Sequence, residues 1–251
     1  MTSTQTDTLR LDELLVHRGF FASRSRARDA VLRGKVRVNG ETAAKPGRTV
    51  AVDCALAIDD PASDYVSRAA LKLIAGLDAF VFDAAGKLAL DLGASTGGFT
   101  QVLLERGAHH VIAVDVGHGQ MRPEIAADQR VTLLEGVNAR DLDRAALGGA
   151  APELLVCDVS FISLRLALPP ALELAAPEAR AVLLVKPQFE VGRGGVGKGG
   201  IVDEASGLAA AHGLRDWLND VPGWRTVGLV PSPIEGGDGN REDLLGAVKD
   251  R

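Results

Sequence analysis

Cysteine is almost absent: Cys54 and Cys157 are the only two among 251 residues, far apart and in no paired motif. That excludes a disulfide framework and a thiolate zinc site, and free thiols suit a reducing compartment. Aromatic residues make up only 4%, so the core must be built mainly from Ala, Leu and Val. No stretch approaches the ~20 apolar residues that a membrane helix needs. The most apolar one, Leu164 to Pro177, is broken by Arg165, Pro169, Pro170 and Glu173. Met1 to Thr8 is polar and lacks the basic, apolar and small-residue succession of a secretion signal. A soluble, cytoplasmic protein with no membrane partner is expected. What is present, 46% apolar and 24% charged residues, is the balance of an ordinary globular chain. Its length accommodates a small domain joined to a larger one.

Charge is divided unevenly. The net charge is −5, yet ten basic residues face four acidic ones between Arg10 and Arg48. That segment carries +6 and the remainder −11. Such a split suggests a small nucleic-acid-binding module attached to a domain with another task.

The basic segment has the pattern of a folded unit. Leu11, Leu14 and Leu15 mark an amphipathic helix that Gly19 ends. Ser23 is placed to cap a second helix that turns Ala27, Ala30 and Val31 inward. Lys35 to Gly40 alternates and then turns at Asn39-Gly40, a hairpin signal. Arg10, Arg24, Arg28, Lys35 and Arg37 are the expected RNA-contacting bases, with Arg24 and Arg28 on one helical face. The run from Arg10 to Val50 resembles an S4-type RNA-binding domain: Arg10-Leu11-Asp12, then Ser23 to Arg28, Gly34 to Gly40, and Lys45-Pro46-Gly47. The resemblance implies binding to structured RNA. Residues 9–58 are assigned to this domain and 59–65, acidic and proline-containing, to a linker.

From residue 66 to 251 helical and strand patterns alternate, which argues for an open α/β sheet with helices on both faces. Expected strands include Leu88–Leu92, His110–Val114, Leu154–Cys157 and Val182–Val185. Ligands in such sheets bind beyond the carboxyl ends of the strands. After the first strand stands a glycine-rich turn, Asp91 to Phe99, in which Gly93, Ser95, Thr96, Gly97 and Gly98 are the expected cofactor contacts. It resembles a dinucleotide fingerprint, but Ser95 replaces the middle glycine and Asp91 would repel a diphosphate. A cofactor without phosphates that carries an ammonium and a sulfonium tolerates that carboxylate, and S-adenosylmethionine fits. Asp115, 22 residues after Gly93, is placed to accept from ribose hydroxyls.

Gly192 to Gly199 nearly satisfies a phosphate-binding loop, but Gly199 stands where Ser or Thr must hold Mg²⁺. An RNA-contacting lid carrying Arg193 and Lys198 is the better reading. The bland one is a flexible surface connection.

Charges also stand where they are costly. Asp158 and Lys186 each end an apolar strand, Lys72 interrupts an apolar helix, and Glu242 follows Gly239-Asn240. Two lysines and two acids around one acceptor suit methyl transfer to a sugar hydroxyl, a weak nucleophile that needs a base. A lysine serves as base when burial and a neighbouring cation favour its neutral form. Lys186 is the expected base, Lys72 the neighbouring cation, and Asp158 and Glu242 position both. No metal is required.

At these residues the second domain resembles the FtsJ-like ribose 2′-O-methyltransferases, with their Lys-Asp-Lys-Glu tetrad. The whole chain is similar to the TlyA family, also called hemolysin A, through Tyr65 to Arg68, Asp91 to Thr100, Asp115 to Gly117, Asp158 to Leu164, Lys186 to Glu190, and Ser232 to Ile234 with Gly239-Asn240. The resemblance implies a Rossmann-like methyltransferase that uses S-adenosylmethionine to methylate cytidine ribose in ribosomal RNA within ribosomal subunits. It implies Lys72, Asp158, Lys186 and Glu242 as catalytic residues, and places Asp91, Gly93, Ser95, Asp115, Asp141 and Asp158 near the cofactor. Ala69-Ala70, His118 and Asp243 depart from the pattern, Asp243 standing where an aromatic residue opens the last strand. No obligate protein partner is evident. The main alternative is a non-catalytic RNA-binding ribosome-assembly factor with a vestigial methyltransferase domain. A membrane-lytic protein has no spanning segment to support it, and base methylation lacks its Pro-Pro-aromatic segment.

Overall fold

The computed structural model describes residues 7–250, apart from the Arg193 side chain, and divides into compact units at Asp64/Tyr65. In the first unit β1 (Thr8–Arg10) leads directly into α1 (Leu11–His17) and, after a turn at Gly19, α2 (Arg24–Leu32). Ser23 Oγ accepts from Arg26 N, the expected cap. The strands β2 (Val36–Val38) and β3 (Glu41–Thr42) form the hairpin, and Asn39 and Gly40 at its tip both have positive φ, 52° and 87°. That pair of values is what a two-residue turn needs to match the strand twist. Two more strands, β4 (Thr49–Ala51) and β5 (Leu56–Ile58), pair antiparallel with β1 and β2. Leu11, Leu14, Leu15, Ala27, Ala30 and Val31 are buried together, as their helical spacing requires.

Composition read 59–65 as a linker, but part of it is fastened to this first unit. Asp60 is buried and accepts from Arg33 on both oxygens at 2.7 Å, and from Ala62 N at 3.0 Å. Burial raises its carboxyl, but the bonds from Arg33 and Ala62 outweigh that and leave it below the ordinary value. The turn Pro61–Asp64 follows. An acidic, proline-containing composition cannot show that one acid is buried against an arginine of the preceding helix end.

The second unit begins with α3 (Ala70–Phe80), β6 (Leu88–Leu92), α4 (Gly98–Glu105) and β7 (His110–Asp115). It continues through α5 (Pro123–Ala126), β8 (Val131–Glu135), β9 (Leu154–Cys157), α6 (Leu164–Ala167), α7 (Pro169–Leu174) and β10 (Arg180–Val185). It closes with α8 (Pro187–Glu190), α9 (Glu204–Asn219), β11 (Trp224–Pro231) and β12 (Asp243–Lys249). The sheet runs β11-β12-β10-β9-β6-β7-β8, with β12 antiparallel to both neighbours. Strand β12 opens in register at Asp243, opposite Val185, without the aromatic residue.

Successive strand residues face opposite layers. On β10, Val182 and Leu184 join Leu73, Leu77 and Phe99 of α3 and α4, while Leu183 and Val185 join Leu168, Leu172 and Leu214 of α6–α9. Strands buried on both faces read as continuous apolar runs, which is why they were visible in the sequence. The strand order reverses between β6 and β9, so their carboxyl ends open a crevice. Among the described residues no helix is long and apolar enough to cross a membrane.

Candidate active site

A cavity of about 1050 Å³ lies at these carboxyl ends, larger than the pockets that hold one drug-sized ligand. At one end the chain leaves β6 through Gly93 (φ 81°), where a Cβ would sit 2.9 Å from the Asp158 carbonyl. Only glycine fits that approach. Ser95 adopts φ 46°, an unfavourable conformation for a side chain, and is held there. Its N donates to Asp115 Oδ2 at 2.7 Å, and its Oγ to Gln120 Oε1 at 3.0 Å. Asp115 Oδ1 also accepts from Gly117 N at 2.7 Å, so one carboxylate ties two loops.

Gly93, Ser95, Asp115 and Asp158 line the cavity. Thr96, Gly97 and Gly98 lie behind it and shape the turn instead. The Thr96 carbonyl accepts from Arg122 N, Gly97 (φ 94°) caps α4, and Gly98 is pressed against Ser67. Asp141 is not brought to the cavity: it ends the turn Ala139–Asp141 and is exposed, while Asn138, Ala139 and Arg140 form the wall.

Asp91 sits under the turn, fully buried. Its Oδ2 accepts from Thr100 Oγ1 at 2.7 Å, and its Oδ1 has no hydrogen-bond partner. Burial pushes the carboxyl up to about 7, the Thr100 bond opposing and the charges of Asp158 and Asp115 adding to it. Three carboxylates clustered around one strand end, one with an orphaned oxygen, suit a positively charged ligand.

The four tetrad residues come together as two ion pairs. Lys186 follows β10 and Asp158 follows β9, its parallel neighbour, so both ends are adjacent. Lys186 Nζ lies 2.6 Å from Asp158 Oδ1 and donates to Ser160 Oγ at 2.8 Å and to the Asp158 carbonyl at 3.2 Å. Glu242 immediately precedes Asp243, which pairs with Val185, so the antiparallel register brings Glu242 beside Lys186. Its Oε2 accepts from Lys72 Nζ, both groups being buried. Burial raises the Glu242 carboxyl against the pull of Lys72, with Asp158 and Lys186 also acting on it. Lys72 reaches this point from α3, which packs so closely on the sheet that a Cβ on Gly76 would strike Val182. Among the described residues no group of three or more His, Cys, Asp or Glu is placed to hold a metal ion.

Sequence reasoning missed several residues around this centre. Ser160 and Phe161 follow two and three residues after Asp158, and their place beyond a strand end was the available signal. Phe161 has φ 66° and is 91% exposed at the cavity, with its ring 5.4 Å from that of Phe189. Glu190 accepts from Ser163 Oγ and Leu164 N, bracing that same loop. Asn240 is buried, accepts from Val202 N and donates to the Gly200 carbonyl, which stitches the glycine-rich segment to the residues before Glu242. That segment forms the turns Arg193–Gly195 and Lys198–Gly200, not a loop entering a helix, so it is no phosphate-binding loop. Gly192 and Val196 line the cavity and Lys198 is exposed, whereas the Arg193 side chain lies outside the described residues.

In the first unit the bases fall into three groups. Arg18, Arg26 and Arg33 donate to backbone carbonyls or buried acids and hold the unit together. Arg28 and Arg37 are exposed and Lys35 is half-buried. Arg10 and Arg24, about half exposed, both bond Asp12, whose carboxyl the Arg10 bond holds below its ordinary value.

An FtsJ-like methyltransferase family model matches residues 65–249, and an S4 domain model matches residues 9–53. The chain is 46% identical over 242 residues to the 16S/23S rRNA (cytidine-2′-O)-methyltransferase TlyA of Mycobacterium tuberculosis, covering 94% of this chain and 88% of that one. It is 38% identical over 238 residues to Hemolysin A of Brachyspira hyodysenteriae, covering 94% and 98%. A solved structure from Streptococcus thermophilus that carries a hemolysin name superimposes with a TM-score of 0.75 at 38% identity, covering 98% and 90%. With both domains matched in order and relatives aligned along nearly their full length, the chain belongs to the TlyA, or hemolysin A, family, an S4 domain followed by an FtsJ-like methyltransferase domain.

Proposed function

We propose that this protein is an S-adenosylmethionine-dependent methyltransferase that modifies the 2′-hydroxyl of cytidine in ribosomal RNA, in the cytoplasm. The observation that carries the reading is the pairing of Lys186 with Asp158 at the cavity, backed by the buried Lys72–Glu242 pair. The relative from M. tuberculosis, named for this reaction, supports the choice of nucleoside and RNA.

S-adenosylmethionine, when bound, supplies a methyl group on a sulfonium, an electrophile that needs only an oxygen nucleophile in line. Gly93, Ser95 and Asp115 would hold it at the acidic end of the cavity, and the orphaned Asp91 oxygen favours its positive charge. At the other end Lys186 is the group placed to take the proton of the ribose hydroxyl. An ammonium at this position has three N–H donors; it hydrogen-bonds the Asp158 carbonyl and Ser160 Oγ and lies 2.6 Å from Asp158 Oδ1. That arrangement stabilises the charge as it develops. Lys72 and Glu242 supply a second cation and its counter-charge behind it, both largely shielded from solvent. Phe161 presents an exposed ring on which an unstacked base can rest. The reading as a non-catalytic assembly factor is not favoured, because four costly charges are assembled at one strand-end crevice.

Mapping ribose methylation on ribosomal RNA with and without the protein tests the function. A cytidine 2′-O-methyl mark that appears only with it is the expected result. Loss of no ribose mark, or gain of a base mark, would overturn the reading.

A further inference from the structure

One residue that lines the cavity outside the charged centre carries a polar atom without a partner. Gln188, on α8, lines the cavity beside Phe189. Its Nε2 donates to Asp238 Oδ2 at 2.9 Å, and its Oε1 is buried without a hydrogen-bond partner. The amide cannot be turned over, because a carboxylate only accepts and so must face the nitrogen. Asp238 thereby fixes Oε1 as an acceptor directed away from it. Asp238 itself is held by the turn before Asn240, whose N donates to its Oδ1. A buried acceptor with no donor is a costly feature in a protein and calls for one.

The bases differ in what they bring to such an atom. Cytosine carries an amine donor at position 4, whereas uracil carries a carbonyl acceptor at the corresponding place. An acceptor held in a fixed orientation welcomes the first and meets the second with two lone pairs facing each other. The tetrad acts on the ribose and is indifferent to this difference, so base selection has to come from another residue.

Resting on the methyltransferase reading above, we propose that Gln188 Oε1 accepts a hydrogen bond from the exocyclic amine of the acceptor cytosine, and that Asp238, by orienting the amide, makes the enzyme select cytidine over uridine. Gln188 is then a specificity-determining residue and Asp238 a positioning residue. Polar reading of this kind discriminates strongly, because the wrong substrate leaves a buried group unpaired.

The test measures kcat/KM for methyl transfer to ribosomal RNA carrying cytidine or uridine at the mapped acceptor position. The full-length wild type, Gln188→Met and Asp238→Lys are compared, with S-adenosylmethionine affinity followed in each. Wild type is expected to prefer cytidine by about 10- to 100-fold. Gln188→Met keeps the side-chain length without the amide and should bring that ratio to within about 2-fold, chiefly by raising KM for the cytidine substrate. Asp238→Lys replaces an acceptor with a donor on an exposed loop, turns the amide round, and should shift preference toward uridine, a change that loss of structure alone does not produce. A wild-type ratio near one, or a ratio unmoved in both variants while cytidine is still methylated, overturns the inference alone. Absence of any ribose methylation by the wild type removes the parent reading and this inference with it.

Discussion

The Asp91 carboxylate accepts one hydrogen bond from the buried Thr100 hydroxyl and leaves its second oxygen without any. Its folded carboxyl stands at about 7 against an ordinary 3.8, so between those values the native state holds a proton that the unfolded chain has released. The free energy of unfolding therefore falls as pH rises through that window and levels off above it. The span is worth about 4 kcal/mol at most. Asp91→Asn should flatten the pH dependence and leave the variant more stable than wild type at pH 8, by urea denaturation at pH 5 and 8. Parallel pH dependence in both proteins would contradict this.

A cationic ligand reverses that preference and draws the carboxylate form. Calorimetry of S-adenosylmethionine binding at pH 6.5, in two buffers of different ionisation enthalpy, should show more proton release by wild type than by Asp91→Asn. The comparison cancels any titration of the ligand itself. Equal release from both would show that Asp91 does not feel the cofactor's charge.

Asp115 ties the Ser95 and Gly117 loops through two short bonds at the cofactor end. Asp115→Ala should weaken cofactor binding by on the order of 2 kcal/mol, about 30-fold, while the rate at saturating cofactor changes little. An unaltered dissociation constant would remove it from the cofactor site.

Breaking the Lys72–Glu242 pair leaves one buried charge without its partner. Glu242→Leu or Lys72→Met alone should cost about 3–5 kcal/mol of stability, whereas the double substitution should cost less than either. Methyl transfer should be lost in all three. Strictly additive losses in unfolding experiments would show that the pair is not coupled.

Arg28 and Arg37 are exposed on the first unit, unlike Arg33, which bonds Asp60. Replacing both by Ala should lower the slope of log affinity against log salt by about 1.5, since each phosphate contact contributes about 0.7–0.9. Cofactor affinity should not change. A slope equal to that of wild type would place the RNA contacts elsewhere.

Much of this centre was legible because a charge at the end of an apolar strand has few reasons to be there. Asp158 and Lys186 stood out in that way, and the sheet order then made them neighbours. Lys72 and Glu242 could be named from their surroundings, but their pairing depends on the register of an antiparallel strand that begins after a turn. Conformational facts were out of reach. Nothing in the letter at position 95 announces a left-handed serine held by Asp115. The glycines of the same turn looked alike, yet only Gly93 lines the cavity while Gly97 and Gly98 make room for neighbouring chain. Gln188 and Phe161 were read as parts of motifs, because their roles come from what lies opposite them in space.

The most direct test of the account is single-turnover methyl transfer by Lys186→Ala, measured alongside its affinity for S-adenosylmethionine. Lys186 meets Asp158 at 2.6 Å and stands among three acceptors suited to an ammonium. The account predicts a loss of at least about 100-fold in the transfer step, the lower range for a missing general base, with cofactor affinity within a few-fold of wild type. Transfer at the wild-type rate would contradict it.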